Sequence, residues 1–122
     1  MTSHVTVEER MALELDKLLQ TQRRFDRQAG WNQYEHCSTH DEIVAFMEHL
    51  TLKLIDELGE ISRVRKRYLR DKEALDVATL KKEMVDIFIF AMQGSMCLDM
   101  NLEKEYIQRM KHNRARFLGN IR

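Results

Sequence analysis

Two acidic pairs stand where the apolar pattern of the chain leaves no room for solvent. Glu57 follows Leu54 by three residues and Leu50 by seven, so on a helix it shares their inward face. Glu60 lies three residues further along that face. Glu83 and Asp86 repeat the spacing, and Asp86 sits among Val85, Ile87 and Phe88 in the most apolar stretch of the protein. A carboxylate buried there without a partner costs several kcal/mol and tends to take up a proton, so a cation must compensate it. An arginine or lysine from another helix is one solution. The other is a convergence of all four carboxylates between two helices. That makes an all-oxygen site for a hard cation, Mg²⁺ where phosphate completes the shell, with Mn²⁺ as a substitute. One such pair alone is common on solvated helix faces. Two in order on consecutive helices, one of them in an apolar setting, favour the metal.

Rival metal chemistries fare worse. A ferritin-like di-iron bundle needs Glu-x-x-His on two helices, and none of the five histidines has a glutamate three residues before it. His36 and His40 flank Cys37 in the manner of a zinc half-site, but no further cysteine ligands accompany them, and they read as loop histidines.

The elements that must position these carboxylates are helices. Proline is absent, only four glycines occur, and the apolar residues are mostly Leu, Met, Ile and Ala. A first helix is predicted from Val7 to Gln28, with Met11, Leu15, Leu18 and Phe25 as its stripe and Gly30 as its C-terminal cap. Residues 31–40 have no periodicity and read as a loop. A second helix starts near Thr39 or Asp41, carries Ile43, Phe46, Leu50, Leu54, Leu58, Ile61 and Val64, and runs to about Arg70. It ends in a basic run, Arg63 to Lys72, that suits the helix dipole. A third, from Ala74 to Leu98, is apolar on nearly every side after Met84 and is expected at the buried centre, where Gly94 and Ser95 permit close packing. A fourth begins after Asn101, with Leu102, Tyr106, Met110 and Phe117 expected to hold it against the bundle. The expectation is one all-α domain over residues 1–122, a bundle of about four helices completed by oligomerisation as a homodimer or dimer of dimers.

Lysine plus arginine and aspartate plus glutamate balance at 20 each, so the broad positive field that nonspecific nucleic-acid binding needs is missing. Cys37 and Cys97 form no metal or disulfide pattern and read as free thiols of a reducing compartment. Met1 to Arg10 is polar and acidic where a signal peptide needs an apolar core, and the apolar run from Met84 to Leu98 is too short to span a bilayer. These features lead to the expectation of a cytoplasmic protein with no membrane contact.

The order Glu57-x-x-Glu60, a spacer, Glu83-x-x-Asp86, then Arg109, Lys111, Asn113 and Arg116-Phe117 resembles the MazG-like all-α nucleoside triphosphate pyrophosphatases. The similarity covers about residues 25–117. It implies that Glu57, Glu60, Glu83 and Asp86 bind Mg²⁺, that Glu57 or Glu60 also orients or deprotonates the attacking water, and that Asn113 and Arg116 contact the triphosphate or help shape its pocket. Two positions depart from the pattern. Asp56 stands in the first acidic position in place of glutamate, and Arg109 stands where the family has lysine, with Lys111 a nearby substitute. In the segment that resembles the family's base-binding stretch, Trp31 offers a flat face for stacking on the base, while Phe25 reads as core. The implied activity is hydrolysis of a nucleoside triphosphate to monophosphate and pyrophosphate. The alternative is a noncatalytic helical module that binds a protein or RNA through residues 63–72.

Overall fold

The computed structural model describes residues 7–119, with the side chains of Arg10 and of residues 14–119. The place of Met11 in the first stripe and the character of the first six residues lie outside the described residues. Four α-helices follow one another: α1 (Val7–Ala29), α2 (His40–Leu69), α3 (Val77–Cys97) and α4 (Leu102–Leu118). A 3-10 turn at Gln33–His36 joins α1 to α2, and no strand occurs among the described residues. The protein is all-α.

Local chemistry sets the helix ends. Gly30 adopts φ +74°, the left-handed conformation that glycine takes without Cβ strain, and the Trp31 amide donates to the Asp26 carbonyl at 2.7 Å to close α1. Thr39 accepts from the Glu42 amide at 3.2 Å while its hydroxyl donates to the Glu42 carboxylate at 2.9 Å. This exchange pulls the Glu42 carboxyl below its ordinary range. The third helix begins at Val77 rather than Ala74. The Asp76 carboxylate accepts from the Thr79 amide at 3.0 Å and from its hydroxyl at 2.6 Å, which fixes the first turn there. Asn101 caps α4 by accepting from the Lys104 amide.

Helices α2 and α3 pack antiparallel. Leu50 meets Gly94, Lys53 lies over Phe90, and Glu57 approaches Asp86. A Cβ built on Gly94 would stand 3.0 Å from Leu50 Cδ2, so only glycine lets the two helices come this close without the leucine giving way. Tyr34, Phe46, Leu50 and Cys97 form the core, with Ile43, Leu54, Phe90 and Met96 against it. Tyr34 brings the 3-10 turn into that core, although residues 31–40 carry no periodic signal.

Two expectations about packing need correction. Apart from Glu83, only the C-terminal end of α3, Met92 to Ser95 and Cys97, is buried, whereas Met84, Val85 and Phe88 are exposed. Helix α4 has no buried residue, and Tyr106 and Phe117 of its stripe face solvent. The cause is simple: among the described residues no further element of the chain covers these faces. Leu52, Ile55 and Leu58 of α2 are exposed in the same way.

Candidate metal centre and adjoining clefts

The antiparallel register of α2 and α3 brings Glu57, Glu83 and Asp86 together. Each offers one carboxylate oxygen, and these oxygens lie within 4.8 Å of one another. Glu83 is the most enclosed of the three, at 1% exposure, while Glu57 and Asp86 are half-buried. Among the described residues, the one cation paired with the cluster is Lys82, its Nζ 3.3 Å from Glu83 Oε1 and 3.9 Å from Asp86 Oδ2. It comes from the same helix as its partners and its side chain is 70% exposed, so its compensation is largely screened. Glu83 Oε2 has no hydrogen-bond partner. A buried acceptor left unmet costs free energy, and a cation among the three carboxylates would relieve it.

Glu60 stands apart from this triad. Its carboxylate is taken by Arg63 one turn along α2, whose guanidinium holds it below the usual carboxylate range. It still lines the same depression as Glu57 and Glu83.

The triad forms the wall between two open clefts. The first, about 600 Å³, is lined by Phe25, Trp31, Ile89 and Phe90, by the amides of Gln22 and Gln93, and by Lys53, with Glu57 and Asp86 at its edge. Phe25 and Trp31 meet edge to face with centroids 5.6 Å apart, and Lys53 Nζ lies 5.8 Å from the Trp31 ring centre and 5.7 Å from that of Phe90. Phe25 therefore belongs to the cleft and not to the core, being half exposed and lining it beside Trp31. The second cleft, about 630 Å³, is charged, lined by Glu57, Glu60 and Glu83 and by Arg63, Arg67 and Lys82. Asp56, the residue that departs from the family pattern, borders both.

The remaining residues singled out from the sequence are not at this junction. Arg109, Lys111 and Arg116 are exposed on α4 and Asn113 is half-buried, and none of them lines either cleft. The Arg116 guanidinium lies 5.0 Å from the ring of Phe117. His36 and Cys37 border a separate shallow groove with His49, and among the described residues no group of possible metal ligands forms there.

Sequence reading missed a buried network beside the first cleft. Asp26 is fully enclosed and accepts from Tyr34 Oη at 2.8 Å, Gln22 Nε2 at 2.9 Å and Gln93 Nε2 at 3.2 Å. Burial, followed by the Asp26 contact, raises the Tyr34 phenol above its ordinary range. The signal was present: Asp26 follows Leu19 by seven residues and so shares its face, the same test that marks Glu57. Sequence reading likewise missed Lys53 and Arg67 as cleft cations. Comparison of the chain with models of protein families, with curated proteins and with solved structures gives no match.

Proposed function

We propose that this chain is a Mg²⁺-dependent nucleoside triphosphate pyrophosphohydrolase, hydrolysing an NTP or dNTP to the monophosphate and pyrophosphate as a nucleotide-pool housecleaning activity in the cytoplasm. The order of its acidic motifs resembles that of the MazG-like enzymes. The observation that carries the reading is the orphaned Glu83 Oε2, buried in a cluster of three carboxylates at the meeting of an aromatic cleft and one lined by charges of both signs. That donor set fits Mg²⁺, with Mn²⁺ as a substitute.

Glu57, Glu83 and Asp86 would hold the ion. When bound there, it would supply positive charge against the triphosphate and Lewis acidity for hydrolysis. Trp31 stacks on the base in the aromatic cleft. Arg67 and Lys82 supply positive charge to the phosphates from the opposite cleft. Glu60, held ionised by Arg63, is a weak base and serves to orient the attacking water. The exposed Leu52, Ile55, Leu58, Met84, Val85 and Phe88 are covered by a second copy, as a homodimer or dimer of dimers. Arg109, Lys111, Asn113 and Arg116 reach substrate only across such an interface.

Pyrophosphate release from each common NTP and dNTP, with and without Mg²⁺, tests the reading, together with thermal unfolding under the same conditions. Metal-dependent release with metal-linked stabilisation is expected. No release from any nucleotide and no shift with Mg²⁺ would overturn it in favour of the noncatalytic module.

A further inference from the structure

The aromatic cleft carries a polarity that the metal centre does not explain. Gln22 on α1 and Gln93 on α3 both line it, and both turn toward the buried Asp26 behind the wall. A carboxylate oxygen in this position accepts: three donors converge on Asp26, which donates to none among the described residues. The amide nitrogens of both glutamines must therefore face Asp26, whatever the freedom of the amides in isolation. Their carbonyl oxygens point the other way. Neither receives a hydrogen bond among the described residues, and neither is enclosed, since Glu83 Oε2 is the sole buried side-chain oxygen or nitrogen found without a partner. Two residues that line the cleft with Trp31 thus each carry a carbonyl acceptor without a partner among the described residues.

We propose that Asp26 is a positioning residue for base recognition: by locking Gln22 and Gln93 with their carbonyls toward the cleft, it makes the site prefer a nucleobase with an exocyclic amino group over one with a carbonyl there. The inference rests on the nucleotide reading above and deepens it. Cytosine and uracil make the sharpest comparison, being nearly equal in size. The cytosine amino group offers two N–H donors to the two acceptors, whereas the uracil carbonyl at that edge sets oxygen against oxygen and leaves both acceptors unpaired beneath the bound base. Asp26 touches neither base nor phosphate. It acts through the glutamines, and the Tyr34 hydroxyl holds its other oxygen.

Two measurements on the full chain test this. The first is calorimetric or ligand-observed NMR titration with cytidine and with uridine in the absence of divalent metal, which reads the cleft without any hydrolysis. The second is kcat/KM for CTP and UTP with Mg²⁺. Cytidine is expected to bind at least fivefold more tightly than uridine, and CTP to be preferred about tenfold. In Asp26→Asn the new amide donates as well as accepts, which frees a glutamine to turn, and the CTP/UTP ratio should fall to within about twofold. Gln22→Leu, at the half-buried margin of the cleft, removes one acceptor and should lower the ratio even if Asp26→Asn folds poorly. A merely structural role for Asp26 would lower both substrates together and leave the ratio unchanged, which would overturn the proposal. Hydrolysis of both nucleotides with equal efficiency would also overturn it while leaving the hydrolase reading intact. Selective cytidine binding without hydrolysis of any nucleotide would do the reverse.

Discussion

Replacing Glu83 by glutamine separates the metal centre from a solvated acidic patch most cleanly. Like charges within 4.8 Å of each other repel by about 3.5 kcal/mol or more at an effective dielectric of about 20, and Glu83 has two such neighbours in Glu57 and Asp86. Lys82 opposes this from 3.3 Å, but an ion pair with so exposed a lysine returns about 1 kcal/mol or less. Water at the half-buried Glu57 and Asp86 weakens the repulsion as well, leaving about 1–3 kcal/mol of net strain in the metal-free protein. Glu83→Gln removes the charge, and its amide can donate to the neighbouring carboxylates. The metal-free variant should therefore melt about 4–12 °C above wild type in scanning calorimetry. Mg²⁺ at a hundred times its Kd should add about 2.7 kcal/mol to the wild type and almost nothing to the variant, so the order of melting temperatures narrows or reverses. Activity should be lost. A variant that melts below wild type without metal, or that keeps the full Mg²⁺ response, would refute the electrostatic reasoning.

Three further outcomes are expected. Trp31→Ala should raise KM about tenfold with kcat little changed, because a stacking contact is made equally in ground and transition states; an unchanged KM in steady-state kinetics would remove Trp31 from the site. Burial, aided by a hydrogen bond with Cys37, pushes the Cys97 thiol from 9.0 up to about 11. The folded state thus keeps a proton that the unfolded chain loses, and the associated stability, on the order of 2 kcal/mol, is complete below pH 9 and lost as pH rises toward 11. Denaturant melts across that range should fall less steeply for Cys97→Ala, and an equal slope would contradict the assignment. Thr39→Ala, which removes the reciprocal cap of α2, should cost about 1 kcal/mol in urea unfolding without altering nucleotide hydrolysis.

The four helices were legible from residue spacing because helix formation is a local matter of period and capping. Thr39 and Asn101 cap where their side chains suggest, and Gly30 ends α1 as a left-handed glycine. Part of the site was legible for the same reason. Glu57, Glu83 and Asp86 interrupt apolar faces, and a face is a property of one helix. What spacing could not supply is the register of one helix against another. That register, set where Gly94 meets Leu50, brings Glu57 level with Asp86, leaves Glu60 to Arg63, and makes Glu83 rather than Asp86 the buried member of its pair. It also decides which faces find a partner. Tyr34, in a stretch without periodicity, is drawn into the core because the 3-10 turn docks on α3, while the apolar faces of α4 and of the first half of α3 stay bare. Asp26 shows the division most clearly. Its place on an inward face is written in its distance from Leu19, but its donors come from α1, the 3-10 turn and α3. Only tertiary packing joins groups 67 residues apart, because a hydrogen bond depends on distance in space and not along the chain.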